Sequence, residues 1–311
     1  MPILEVDQVV KRYGNKLSVD HLNLSVNKGE IFGLLGPNGA GKSTTISMIA
    51  GLLKMDQGEI RLDGISVKEH PLDVKRKIGL VPQDLALYET MTAADNVTFF
   101  ARLYGLRGKL LKERVQESLE FVGLQDKAKE VPSTFSGGMK RRLNIACAIM
   151  HRPDLIIMDE PTVGIDPQSR NHILESVRTL NNMGSTIIYT SHYMEEVAAI
   201  SHRVAIMDQG HIIACGTEKE LRERVASTEK IVLTASVINP GAIEEMKLHP
   251  RVKNVEVVDD TITITVPSAQ QDMQDMLFIC NKHDLAIQSL QVEEPDLETL
   301  FLNLTGRTLR D

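Results

Sequence analysis

Apolar and polar positions alternate early in the chain, most clearly in Leu17-Ser18-Val19-Asp20-His21-Leu22-Asn23-Leu24-Ser25-Val26. A period of two marks a strand with one buried face, so the first ~30 residues predict an antiparallel edge layer. The pattern then changes to short unbroken apolar runs, Ile31-Phe32-Gly33-Leu34-Leu35 and Asp154-Leu155-Ile156-Ile157-Met158. Runs of this kind are what a parallel strand buried on both faces requires. Glu59-Ile60-Arg61-Leu62-Asp63-Gly64 predicts a short strand ending in a turn, and Ile78-Gly79-Leu80-Val81 a strand stopped by Pro82, with Gln83 just past its end. Helical spacing follows over about 92 to 104, 109 to 123 and 136 to 150, the last with Leu143, Cys147 and Met150 on one face. These helices predict a block separate from the sheet. Helices over about 167 to 182 and 193 to 200 then alternate with strands over 185 to 190, 203 to 208 and 211 to 214, a doubly wound α/β pattern.

The texture changes near residue 220. Strands over about 230 to 236, 252 to 258, 261 to 266 and 285 to 292, with helices over 240 to 248 and 269 to 282, spell β-α-β-β-α-β. Asp259-Asp260 supplies the hairpin turn, and Pro295 to Leu304 predicts a closing helix that stops at Gly306. The expected architecture is therefore a mostly parallel α/β domain over 1–220, with an antiparallel β layer and a helical subdomain over about 84–150, followed by a small α+β domain over 221–311.

Composition narrows the classes. With 311 residues, 42% of them hydrophobic, the chain can bury a large core and a smaller second one. A formal net charge of -7 runs against a nonspecific nucleic-acid binder, and no nucleic-acid partner is expected. Cys147, Cys215 and Cys280 are odd in number and far apart, which speaks for a reducing compartment over a disulfide framework or zinc cluster. The acidic residues Glu5 and Asp7 stand where an export signal would be apolar, and no run of 18 apolar residues occurs, so any membrane role is expected to pass through a partner.

The most informative stretch is Gly36-Pro37-Asn38-Gly39-Ala40-Gly41-Lys42-Ser43-Thr44, which fits the phosphate-loop pattern G-x-x-x-x-G-K-[ST] between a predicted strand and a predicted helix. Only a loop with little side-chain bulk can wrap its backbone N–H groups round a polyphosphate. Lys42 then reaches the outer phosphates, Ser43 offers a hydroxyl to Mg²⁺, and the helix start adds its positive dipole end.

Further stations follow in a fixed order. Phe135-Ser136-Gly137-Gly138-Met139-Lys140-Arg141-Arg142 resembles the signature motif of ATP-binding cassette (ABC) ATPases, and the strand ending Asp159-Glu160 is similar to their Walker B motif. Gly164-Ile165-Asp166 resembles their D-loop, His192 their switch histidine, Gln83 their Q-loop glutamine and Tyr13 their adenine-stacking aromatic. The resemblance covers about 1 to 220. The variant Ser-Gly-Gly-Met-Lys-Arg-Arg, with the closing Glu294-Pro295-Asp296-Leu297-Glu298-Thr299-Leu300-Phe301, resembles ATP-binding subunits of bacterial exporters for daunorubicin and linearmycin resistance.

That resemblance implies ATP and Mg²⁺ as cofactors, with Ser43, Gln83 and Asp159 at the metal and Glu160, Gln83 and His192 in catalysis. It implies that the phosphate loop and Tyr13 hold the nucleotide, while Ser136, Gly137 and Gly138 contact the γ-phosphate bound to a second ATPase subunit, identical or related. A separate membrane-spanning permease is implied as partner, and the cytoplasmic face of the cell membrane as location. Met139 departs from the usual glutamine, but the serine and both glycines that would touch phosphate remain.

Plainer readings stand beside these. A strand-end tyrosine such as Tyr13 serves packing as readily as stacking, a lone histidine is often structural, and Lys140-Arg141-Arg142 reads as a solvated helix face. Phe99, Phe100 and Tyr104 read as helix core. At the level of function, an importer or an ion- or lipid-transporting subunit would carry much the same cassette. A soluble ABC ATPase acting on ribosomes or DNA usually carries two cassettes or a long insert, and this chain has one phosphate loop.

Overall fold

The computed structural model describes residues 1–225, 229–293 and Phe301, with side chains described as far as residue 222 and again from 229. The chain divides into a first unit over Met1–Glu218 and a second beginning at Lys219.

In the first unit the alternating N-terminal stretch forms β1 (Pro2–Tyr13) and β2 (Lys16–Asn27), paired antiparallel. Their apolar positions, among them Leu4, Val6, Leu22 and Val26, are buried, and the polar positions between them face water. The unbroken run becomes β3 (Ile31–Leu35), buried along its length, and the phosphate loop leads from it into α1 (Lys42–Ile49). β4 (Gln57–Leu62) and β5 (Ile65–Ser66) complete an antiparallel sheet in the order β2-β1-β4-β5. α2 (Pro71–Lys77) runs directly into β6 (Ile78–Val81).

α3 (Ala93–Leu103), α4 (Gly108–Phe121) and α5 (Gly137–Ile149) follow, and then β7 (Leu155–Asp159), buried throughout. α6 (Pro167–Asn182) starts where its sequence says it should, with Asp166 accepting from the Ser169 amide as N-cap and Pro167 at the first helical position. β8 (Thr186–Thr190), α7 (Met194–Ile200), β9 (Arg203–Asp208) and β10 (His211–Gly216) close the unit, and α8 (Glu218–Val225) follows. The second sheet runs β10-β9-β3-β8-β7-β6, parallel from β9 to β6 with β10 antiparallel at its edge. The main core lies between the two sheets, where Leu4, Val6 and Leu22 meet Phe32, Leu34 and Ile46.

The second unit contains β11 (Glu229–Ala235), α9 (Pro240–Leu248), β12 (Asn254–Val258), β13 (Thr261–Val266), α10 (Ala269–Lys282) and β14 (Ile287–Glu293). Its sheet is antiparallel in the order β12-β13-β11-β14. Ile231, Leu233, Ile262 and Ile264 point into a core closed by Ile243, Met246, Met276 and Ile279 of the two helices. The closing helix expected over 295 to 304 lies outside the described residues apart from Phe301, which is helical and buried.

Two expectations need correcting, and two short helices are new. α5 is not separate from the sheet, because it packs directly on β6. Phe99 and Phe100 are only half-buried and form an edge-to-face cluster with Tyr88, while the buried face of α3 is made by Ala93, Asn96, Val97 and Ala101. The short α2 and α8 are additions to the predicted order, being too brief and too charged for the periodicity to stand out.

Tyr104, at the end of α3, stacks on His151 with ring centroids 3.7 Å apart, and the Tyr104 hydroxyl and His151 Nε2 both lie within hydrogen-bond reach of the Ile78 carbonyl. Burial pushes the His151 pKa down to about 4, against the opposing pull of its bond to Ile78. Between about pH 6.5 and 4 the unfolded chain therefore binds a proton that the folded chain refuses, so stability falls as pH drops through that window. The variant His151→Phe keeps the stack and removes the titration. Urea unfolding at pH 7 and pH 4.5 should show it losing roughly 2 to 3 kcal/mol less than the native chain on acidification, and equal losses would refute the assignment.

Candidate functional site

The site is built at the carboxyl ends of the parallel strands, where an open α/β sheet leaves a crevice. After β3 the loop turns through Gly39 at φ 81° and Gly41 at φ 108°, backbone that other residues enter only with strain. A Cβ on Gly41 would also come within 2.6 Å of the Ser18 carbonyl oxygen. No side chain caps the start of α1. Its first residue, Lys42, is buried, and its ammonium donates to the carbonyls of Gly36 at 2.7 Å and Pro37 at 3.2 Å. Burial lowers the Lys42 pKa, while Glu160 and Asp159 pull it back up.

Opposite the loop, the ends of β7 and β8 are tied together by Thr190. Its hydroxyl donates to Asp159 Oδ1 at 2.7 Å and accepts from the Glu160 amide at 2.9 Å. Glu160 sits at φ 47°, a left-handed turn that aims its carboxylate away from the strand. Three groups from different parts of the chain surround that carboxylate. Lys42 Nζ lies 3.8 Å from Oε1, while Gln83 Nε2 and His192 Nδ1 each lie 3.4 Å from Oε2. The crevice has a volume of about 300 Å³ and is lined by Tyr13, the loop residues from Pro37 to Thr44 other than Ala40, Gln83 and Glu160. Tyr13 presents half of its surface to solvent there. Asp159 is buried beside the crevice and does not line it. A larger cleft of about 580 Å³ between α3 and α4 is walled by Leu111, Val115 and Leu119 and has no such convergence of phosphate-binding groups.

Ser136, Gly137 and Gly138 line no part of this crevice. Ser136 is the N-cap of α5, accepting from the Met139 amide at 3.2 Å, and both Ser136 and Gly137 are exposed. A helix start of this kind, open to solvent, is a ready anion site for something outside its own crevice.

The basic run after the signature is not the solvated face its composition implies. Arg141 is buried and donates to the Pro82 carbonyl at 2.7 Å and the Gln83 carbonyl at 2.6 Å, and Arg142 donates to the Val122 carbonyl at 2.9 Å. The signal lay in its spacing, since Arg141 shares a helical stripe with buried Gly138, Ile145 and Ala148. A second group missed from sequence is Glu196, buried on α7. It accepts from the hydroxyls of Thr162 at 2.6 Å, Tyr189 at 2.9 Å and Ser191 at 3.2 Å, and pairs with Arg170 at 3.2 Å. The Arg170 guanidinium also stands 4.7 Å from the Tyr193 ring, which leans on His192 at 4.2 Å. His192 thus stands against a ring that contacts Arg170 of α6, itself paired with the buried Glu196.

The sequence pattern of the family described as ABC transporter matches residues 19–163. The chain is 50% identical to the linearmycin resistance ATP-binding protein LnrL of Bacillus subtilis (strain 168), over 99% of this chain and 100% of that one. It is 35% identical to the daunorubicin/doxorubicin resistance ATP-binding protein DrrA of Streptomyces peucetius, over 99% of this chain and 94% of that one. Among solved structures it resembles a dimeric ATP-binding cassette in a post-hydrolysis state bound to ADP and Pi, with a TM-score of 0.63, 27% identity, and coverage of 69% of this chain and 98% of that one. Half-identity across the full length of a named relative, on top of a phosphate loop facing a strand-end carboxylate pair, makes this chain a member of the ABC transporter family, an ATP-hydrolysing ATP-binding subunit.

Proposed function

We propose that this chain powers export of an antibiotic or similar amphipathic compound through a separate membrane-spanning permease, working as a dimer of ATPase subunits at the cytoplasmic face of the membrane. The observation that carries the catalytic part is the convergence of Lys42, Gln83 and His192 on the Glu160 carboxylate at the mouth of the phosphate loop. The resistance functions in the names of its relatives support the export part. No helix among the described residues is long and apolar enough to cross a membrane, so the passage itself falls to a partner in this reading. Residues 1–220 form the ATPase domain, and 221–311 an accessory domain.

In this reading the adenine of ATP stacks on the open face of Tyr13, the loop amides from Gly36 to Thr44 wrap the phosphates, and Lys42 exchanges its carbonyl partners for phosphate oxygens. Among the described residues no group of three or more His, Cys, Asp or Glu side chains could cage an ion. An ion here would be held by the Ser43 hydroxyl and Gln83 amide oxygen lining the crevice, the Asp159 carboxylate buried beside it and the substrate's own phosphates, a hard all-oxygen set that fits Mg²⁺. When bound, Mg²⁺ neutralises charge on the terminal phosphates. Glu160 orients the attacking water and accepts its proton, and His192 hydrogen-bonds the γ-phosphate. The exposed Ser136 and Gly137 amide reach the γ-phosphate held by the other subunit.

Three experiments test this. Glu160→Gln keeps shape and one acceptor but loses the charge, so Mg-ATP should still bind while hydrolysis falls ~10²- to 10⁴-fold, and an ATP-dependent dimer should accumulate on size-exclusion chromatography. A rate within about threefold of native would move the base elsewhere. Lys42→Ala should lose nucleotide binding and the dimer together. Mixing Lys42→Ala subunits with Ser136→Ala subunits should restore part of the activity, because one composite site in the mixed dimer keeps an intact loop and an intact facing signature. No rescue at any ratio, with mixed dimers shown to form, would reject shared sites.

A further inference from the structure

Arg141 is an expensive residue for the place it occupies. Its guanidinium is buried, among the described residues no carboxylate hydrogen-bonds to it although the charge of Asp84 acts on it, and its bonds go to two backbone carbonyls, Pro82 at 2.7 Å and Gln83 at 2.6 Å. Its Nε finds no hydrogen-bond partner among the described residues. Removing a guanidinium from water for two neutral acceptors stabilises a fold less than a well-packed apolar side chain of similar volume would. What the arrangement does supply is geometry, since a planar fork bonded to successive carbonyls fixes the direction of the backbone that carries them.

The backbone so fixed belongs to Gln83, whose side-chain amide donates to Glu160 Oε2 at 3.4 Å. Arg141 lies one turn beyond Gly137 on α5, the helix whose exposed start is the signature. The same turn reaches this segment a second time, through Lys140 and Glu89 at 2.6 Å. We propose that Arg141 is a positioning residue that sets Gln83 against Glu160 and makes that placement depend on where the signature helix stands. The inference rests on the reading above, in which Glu160 is the base and Gln83 its neighbour. It adds that engagement of Ser136 and Gly137 with the other subunit's nucleotide is reported to the chain's own base by a rigid path of one helical turn, one guanidinium and one backbone segment.

The test is steady-state ATP hydrolysis by the full chain as Arg141→Met, Arg141→Lys, Gln83→Ala and Arg141→Met/Gln83→Ala. Met keeps the length and apolar bulk of the stem without the fork. Its kcat should fall on the order of 10- to 100-fold, the cost of a misplaced catalytic neighbour, while KM for Mg-ATP, set at the loop, stays within about twofold. Lys, which can reach one carbonyl, should recover part of the loss, and it carries the comparison if the Met variant fails to fold. The double variant should be no slower than Gln83→Ala alone, because Arg141 acts through Gln83. A native kcat in Arg141→Met, a parallel fall in affinity for Mg-ATP, or a double variant slowed by the product of the two single effects would overturn the inference while leaving the Gln83 assignment standing. A native kcat in Gln83→Ala would instead overturn that assignment, and this coupling with it.

Discussion

The site depends on one hydroxyl. Thr190, the last residue of β8, donates to the Asp159 carboxylate and accepts from the Glu160 amide, so it locks the ends of two parallel strands at the point where the chain must leave the sheet. Without it the Glu160 N–H would be buried and unpaired, at a cost of about 1–3 kcal/mol, and the left-handed turn at Glu160 would lose its anchor. That turn separates the two carboxylates, leaving Asp159 buried at the strand end and Glu160 facing Lys42, Gln83 and His192. One strained residue and one threonine thereby give adjacent side chains different surroundings, the condition for adjacent carboxylates to do different work.

Around this lock the electrostatics are compact. Lys42 is buried against its own loop carbonyls with a carboxylate 3.8 Å away, and its pKa stays lowered because burial outweighs the opposing pull of Glu160 and Asp159. A cation held in this way is pre-oriented, and it needs only to trade neutral carbonyls for charged phosphates to gain. The Glu196 network beneath His192 works on the same principle at greater depth. Three hydroxyls donate to Oε2 of a carboxylate that has almost no access to water, and its Oε1, without a hydrogen bond among the described residues, is left to the ion pair with Arg170.

How far the sequence could be read follows from what each residue does. The phosphate loop was legible because its chemistry dictates its spelling: small residues where the backbone must approach phosphate, one lysine, one hydroxyl. The parallel strands were legible because burial on both faces leaves an unbroken apolar run, as in β3, β7 and β8. The β-α-β-β-α-β order of the second unit was legible because its strands alternate cleanly, as in β13. Thr190 was not, since a β-branched residue ending a strand looks like ordinary strand composition. Nor was Glu196, because an acid in the first turn of a helix reads as a partner for the helix dipole. Arg141 was hidden by its neighbours Lys140 and Arg142, which made a buried clamp look like part of a charged surface.

The two glycines of the signature are under different pressures. A Cβ on Gly138 would lie 2.2 Å from the Ser169 hydroxyl on α6, whereas one on Gly137 would meet nothing nearer than Ile165 Cδ1 at 3.8 Å. In a library of variants, position 138 would therefore be filtered by how much folded protein survives in the cell, and position 137 by what the surviving protein can do. The shared spelling of the motif hides two kinds of heredity, one belonging to the architecture of a single chain and the other free to evolve with whatever faces it.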